Sequence, residues 1–378
     1  MSEPSSEPLT FNTLGNYQWP SMPADESIRG FGWQIWKRFK GTADDPSVSD
    51  PLLKWDNKKR LERITDAPAC ETVVTEMEAT FGDWAKDKNP SRWLQLVVMP
   101  PIDINNVVRM WARSNGHHVI EPPPRELLLD RSAEVNVSFD YDASVVVIPQ
   151  LERWFLRHQD GLCHVRKLLQ HAAGAHRHCV IGCNSWAWQF LDKAICAGRL
   201  LPVGLVPNAF DAQRLQSWLI DAAEREGKGD HAFRLVESGD IVGSVYFAKL
   251  AARSLGIPLV AWQQWQLAIQ TDPGKMQKKR ETSPDEKTYW LSKFEEFHLP
   301  SDDADASLLT LHALLIHDGL TAEELDEVMP SVDGSNVLPS LQAARVIESQ
   351  QGRCRCIPAA YPAIRSKLVD AGFSKDKL

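Results

Sequence analysis

Residues 93–124 read WLQLVVMPPIDINNVVRMWARSNGHHVIEPPP, and the changes of pattern inside them decide the fold class. Residues 93–101, WLQLVVMPP, are a short apolar run that ends in a double proline. That is how a strand buried on both faces reads when it runs into a tight loop. Residues 104–116, INNVVRMWARSNG, have helical spacing, and Gly116 stops the helix. Residues 117–124, HHVIEPPP, read as a second strand halted by three prolines. Strand, loop, helix and strand make a βαβ unit, and a parallel sheet follows from it.

The same alternation continues outward. SVVVIP (144–149) is a buried strand, and LERWFLRHQDGLCHVRKLLQHAA (151–173) reads as helix. HCVIGCNS (178–185) is another buried strand, WAWQFLDKAICAG (186–198) a helix, and LLPVGLVP (200–207) a short last strand. From Asp211 to about Gln270 the pattern reads as helices without strands, and TDPGKMQKKRETSPDEKT (271–288) reads as a charged linker. The resulting segmentation has a partly disordered N-terminal arm at 1–56 and a helical lead-in at 57–90. An α/β domain spans 91–212, a helical lid 213–272, a linker 273–300 and a C-terminal domain 301–378. Within the arm, FGWQIWKRFK (31–40) is an aromatic patch expected to dock on the body of the protein or on a partner.

The C-terminal domain reads as three helices and a hairpin. ADASLLTLHALLIHDGL (304–320) is an amphipathic helix that stops at Asp318–Gly319. In TAEELDEVMP (321–330) Thr321 and Glu324 have capping-box spacing. SNVLPSLQAARVI (335–347), with Ser335 as its candidate cap, runs into a hairpin that turns at Gln351–Gly352. Residues 301–339 hold no Lys or Arg, whereas 340–378 hold seven against three Asp and Glu. Arg353 and Arg355 alternate with Cys354 and Cys356. The two arginines therefore share one strand face, and the two cysteines turn to the core.

Composition excludes several classes. The chain has 378 residues, is 43% hydrophobic and 24% charged, and has a net charge of −8. It is too apolar for global disorder and too acidic for a bulk nucleic-acid coat. No apolar run approaches a membrane span, and MSEPSSEPLT lacks the basic head of a signal peptide, so the expected location is cytoplasmic. Seven cysteines suggest free thiols rather than a disulfide framework. The 14 tryptophans are read as core filler. His171, His176, His178, Cys179 and Cys183 are dense, but their spacing fits no zinc template. Asp140 and Asp142 read as strand-entry residues, and the 275–280 stretch KMQKKR as solvated linker. No metal and no cofactor are expected.

The order of elements resembles the AAA+ class of P-loop NTPases, most of all the origin-recognition and STAND types with a winged helix after the lid. Four segments carry the resemblance: VVMPPIDINNVVRMW (97–111) at the Walker A loop, VVVIPQ (145–150) at the Walker B strand, VIGCNSW (180–186) with Asn184 as the sensor-1-like polar residue, and SLGIPLVAW (254–262) with Gly256 and Pro258 as the lid motif. The resemblance implies a P-loop NTPase-like α/β core, a helical lid and a C-terminal winged helix. It also implies a nucleotide cleft lined by Pro101, Asp103, Asn105, Asn106, Gln150 and Asn184. The chemistry of that cleft is degenerate. Ile102 and Ile104 hold the glycine positions, Asn105 and Asn106 those of the Lys and the Ser or Thr, and Pro149 and Gln150 those of the acids. The expected function is a non-catalytic pseudo-NTPase, a regulatory or scaffolding module that binds a protein partner through its winged helix and aromatic arm. The alternative is a winged-helix regulator that binds duplex DNA through Arg345, Arg353, Arg355 and Lys367. A third reading is an ATPase completed by a partner.

Overall fold

The computed structural model describes residues 10–23, 70–102, 106–133, 137–139, 144–226, 231–235, 242–270, 287–300, 304–329 and 336–378. The aromatic patch 31–40, Asp103, Ile104, Asn105, Asp140, Asp142, the 275–280 stretch and Ser335 lie outside the described residues. The chain divides into two compact units, one made of 1–18, 69–208 and 297–378, the other of 19–68 and 209–296.

The first unit contains a six-stranded sheet: β1 (Asn12–Thr13), β2 (Leu94–Met99), β3 (His118–Val119), β4 (Val146–Ile148), β5 (Cys179–Asn184) and β6 (Leu205–Val206). Its order is β1-β6-β2-β5-β4-β3, and every neighbouring pair is parallel except β1 with β6. β2, β4 and β5 are nearly all Leu, Val, Ile and Cys because both of their faces are covered. The helices are α1 (Glu71–Lys86), α2 (Val107–Ser114), α3 (Cys163–Gly174) and α4 (Ser185–Ile195). The chain leaves β2 toward β3 on one side and leaves β5 toward β6 on the other. The crevice between the carboxyl ends of β2 and β5 is therefore the topological switch point, where open parallel sheets place their ligand sites. Gly182 of β5 is required there, since a Cβ on it would lie 2.5 Å from the Pro149 carbonyl oxygen.

The helix expected over 151–173 begins only at Cys163. Residues 151–153 form one 3₁₀ turn, and the chain then closes a loop in which the Leu156 N–H donates to the Gly161 oxygen at 3.3 Å. A Cβ at Gly161 would meet the Leu156 oxygen at 2.5 Å, so the loop depends on that glycine.

The C-terminal segment, expected to stand apart, belongs to the same compact unit as the sheet. It comprises α8 (Ala304–His317), β10 (Leu320–Thr321), α9 (Ala322–Val328), α10 (Val337–Ala343), β11 (Ile347–Gln350), β12 (Arg353–Cys356) and α11 (Tyr361–Asp370). β10, β12 and β11 pair in that order as an antiparallel sheet, which makes the winged-helix arrangement. The Thr321–Glu324 capping box is formed, and Gln351 and Gly352 turn the hairpin with φ of 53° and 76°. β10, a third strand, is too short for periodicity to reveal.

The second unit holds α5 (Ala212–Glu226), α6 (Ser244–Arg253) and α7 (Pro258–Ala268). Gly256 takes φ +68°, and Pro258 opens α7 at its first turn. The expectation of helices alone fails here. β7 (His231–Leu235), β8 (Ile269–Gln270) and β9 (Lys287–Leu291) form a second small sheet, and β9 lies inside the stretch read as linker. Flanking charge and proline conceal a strand whose partners are distant in sequence.

Candidate functional site: the crevice at the carboxyl edge of the sheet

Three loops converge on the crevice. After β2, Ile102 has a left-handed backbone, with φ of 69°. A β-branched residue is strongly disfavoured there. Asn106 is also left-handed, at φ 46°, and its Oδ1 caps α2 by accepting from the Arg109 N–H at 2.9 Å. After β4, Gln150 Oε1 accepts from Arg109 Nη2 at 3.2 Å, and the same guanidinium pairs with Glu121.

Asn184 ends β5 in register with Met99 of β2, and every polar atom of its side chain is used. Its Oδ1 caps α4 through the Ala187 N–H at 2.8 Å, and its Nδ2 donates to the Ile316 carbonyl oxygen at 3.2 Å. Its backbone N–H donates to Glu152 Oε2 at 3.2 Å. Glu152 lies buried on a 3₁₀ turn beneath the crevice.

The C-terminal domain covers this crevice. α8 ends over it, and Asp318 (φ 50°) and Gly319 (φ 94°) turn the chain into β10. Among the described residues, cavities beside Ile102 and Asp318 are each of about 20 Å³, enough for about one water molecule. One is lined by Pro100, Ile102, Asn106, Gln150, Glu152 and Asn184, the other by Pro101, Ile102, Asp318, Glu348 and Arg355. Of the six residues expected to line a cleft, Asn106, Gln150 and Asn184 converge on the first cavity and Pro101 on the second.

Arg125 fastens the cover. It stands on a 3₁₀ turn of the α/β domain, 6% exposed, and donates to the His317 oxygen at 2.6 Å, the Gly319 oxygen at 3.0 Å and Glu324 at 2.8 Å. Arg353 of β12 reaches the same Glu324 at 2.7 and 3.0 Å. Burial pulls the Arg125 guanidinium down to about 10, with Glu324 opposing, so it stays charged at neutral pH. The Glu324 carboxyl is raised by burial but lowered more by Arg353 and Arg125, and lies below its ordinary value. Burial raises the Asp318 carboxyl against the pull of nearby arginines.

A second fastening lies at the start of α4. Asp376 accepts from Ser185 Oγ at 2.9 Å, Tyr361 OH at 3.0 Å and Arg365 Nε at 2.8 Å, while Trp186 Nε1 donates to Tyr361 OH at 3.1 Å. Nothing in the sequence marked Arg125 or Asp376, since Arg125 reaches residues nearly 200 positions on and Asp376 joins Ser185 to its own helix-side partners. Arg353 and Arg355, expected to reach outward, share one strand face as the alternation predicts, with Cys354 and Cys356 buried behind them. Arg353 is spent on Glu324, and Arg355 lies 3.9 Å from Asp318. Arg345 and Lys367 are exposed. Burial pushes the Cys179 thiol up to about 12 and holds Cys183 well above its ordinary value, aided by Glu152, so both stay protonated. Among the described residues no group of three or more His, Cys, Asp or Glu is placed to hold a metal ion, and no helix is long and apolar enough to cross a membrane.

No protein-family model matches the sequence, and no curated protein matches it. Among solved structures the chain is similar to the ORC1 protein of Aeropyrum pernix in complex with DNA, at 16% identity and a TM-score of 0.34, over 81% of this chain and 93% of that one. It is also similar to the ORC2 protein of Aeropyrum pernix in ADPNP–ADP complexes, at 9% identity and a TM-score of 0.30, over 89% and 98%. The α/β fold with its winged-helix partner rests on strand order and register, independently of these likenesses.

Proposed function

We propose that the chain is a nucleotide-independent member of the P-loop-like folds, a regulatory or scaffolding module that works by binding a protein partner. The observation that carries this reading is the hydrogen bond from Asn184 Nδ2 to the Ile316 oxygen. In such a fold a ligand's phosphates would lie at this switch point, and here the Asn184 amide beside it is taken by the chain's own main chain. Three features support the reading: a β-branched residue at the left-handed position of the loop, no Lys or hydroxyl at Asn106, and cavities that hold about one water each. Calorimetric titration with ATP, ADP and Mg²⁺ tests it. No heat of binding is expected up to millimolar nucleotide, and micromolar, Mg²⁺-dependent binding would sink the reading.

The winged-helix arrangement supports a second reading, contact with duplex DNA. Arg345 and Lys367 are the members of the expected set whose residues are exposed. Charge reversal at both should then weaken duplex binding and flatten its salt dependence by about two phosphate contacts. Unchanged binding by that variant would rule out this surface.

A further inference from the structure

Helix α8 carries two buried histidines, His312 and His317, and a single residue of the α/β domain donates to both. The Arg157 backbone N–H donates to His317 Nε2 at 3.2 Å, and the Arg157 guanidinium reaches His312 Nδ1 at 3.4 Å. An N–H and a guanidinium can only donate, so each imidazole must offer a bare nitrogen. The rest of each ring is packed. His317 lies against Phe155 at 5.0 Å, and His312 against Trp186 of α4 at 5.6 Å and Phe373 at 4.9 Å.

We infer that the contact between α8 and the α/β domain opens on mild acidification, with His312 and His317 as the groups that take up the protons. Protonation turns each accepting nitrogen into a donor aimed at the Arg157 donor, and both bonds are lost. The charges around the pair make matters worse for an added cation. His317 faces Arg125, Arg157 and His312, the Glu152 main chain acts against them, and His312 faces Arg157. The nearby carboxylates have other partners: Glu152 holds the Asn184 N–H, Glu324 holds Arg125 and Arg353, Asp318 lies by Arg355, and Asp376 holds Ser185, Tyr361 and Arg365.

Burial and then Arg157 pull His312 from 6.5 to about 4, and burial followed by Arg125 and Arg157 holds His317 well below its ordinary value. Both shifts are downward, so their contribution is complete above about pH 6.5 and is lost as the pH falls toward 4. His312 alone shifts the closed–open balance about 30-fold at pH 5.0. Asp318, raised by burial, opposes the change, and Glu324 adds to it only below its ordinary value. The inference is independent of whether the crevice ever held nucleotide.

Cys183 and Cys356, buried beside the two crevice cavities, report the opening. The full chain is labelled with 4,4′-dithiodipyridine at pH 7.5 and pH 5.0, each site is quantified by mass spectrometry, and rates are normalised to exposed Cys196. Cys183 and Cys356 should label about 30-fold faster or more at pH 5.0, since His317 adds to the share of His312, while far-UV circular dichroism is unchanged. In H312N/H317Q, whose amide oxygens accept where Nδ1 and Nε2 did and take up no proton, the rise should vanish. The single variants H312N and H317Q, each keeping part of the response, serve if the double variant does not fold. Equal labelling at the two pH values, an undiminished rise in the variants, or a rise that tracks loss of circular dichroism would overturn the inference.

Discussion

The Asn184 side chain is bonded at both ends, capping α4 at Ala187 and holding the Ile316 oxygen at 3.2 Å. One residue thus joins the last turn of the central strand to the first helix of the C-terminal domain. Asn184→Ala removes a helix cap, costing about 1 kcal/mol, and leaves a buried carbonyl without its donor, costing about 1–3 kcal/mol more. Urea unfolding should show a fall of about 2–4 kcal/mol, the sum of those two losses.

Arg125 is the buried cation that Glu324 shares with Arg353. Arg125→Met strands the His317 oxygen and removes one of the two charges on Glu324, and a loss of about 3–5 kcal/mol is expected. Arg353→Met, at a side chain 23% exposed, should cost less, because solvent screens what remains. A urea series on the two variants gives the ranking.

Glu324 makes part of this stability pH-dependent. Its carboxyl is raised by burial and lowered more by Arg353 and Arg125, so the net shift is downward from 4.5. The contribution is therefore present above pH 4.5 and is lost as the pH falls through the lower folded value. The stability gap between wild type and Glu324→Gln should narrow as the pH is taken below 4.5, and acid titration of both by circular dichroism measures it.

Ile102 holds a left-handed backbone at φ 69°. That strain is worth about 1–2 kcal/mol, against about 0.5–1 kcal/mol for the extra freedom of an unfolded glycine. Ile102→Gly should raise stability by about 0.5–1 kcal/mol, the difference between those terms. A fall of that size in the urea midpoint would mean that the isoleucine side chain is needed as packing between the two cavities.

Gly182 has no room for a methyl group, with Pro149 O at 2.5 Å and Val108 Cγ2 at 3.0 Å from the Cβ position. Gly182→Ala must move backbone in the centre of the sheet. The expected cost is about 3 kcal/mol or more, read as lost soluble yield or a lowered melting temperature.

The elements whose signal is local can be read directly from the order of residues. β2, β4 and β5 are mostly apolar runs, Thr321 and Glu324 are three residues apart, Gly352 follows Gln351 at a turn, and Cys354 and Cys356 alternate with arginines. Propensity, period and capping act within a few residues, so they can be read along the chain. The small strands β7, β8, β9 and β10 could not, because each is held by partners distant in sequence rather than by its own pattern. The site divides in the same way. That residues 100–106 hold no glycine and no Lys is legible, and so is the place of Asn184 at the end of a strand. That Asn184 grips Ile316, that Arg125 crosses to Glu324, and that Arg353 turns inward were decided only by the tertiary structure. Those bonds span from 29 to nearly 200 residues, and a charged side chain takes the partner that burial brings to it.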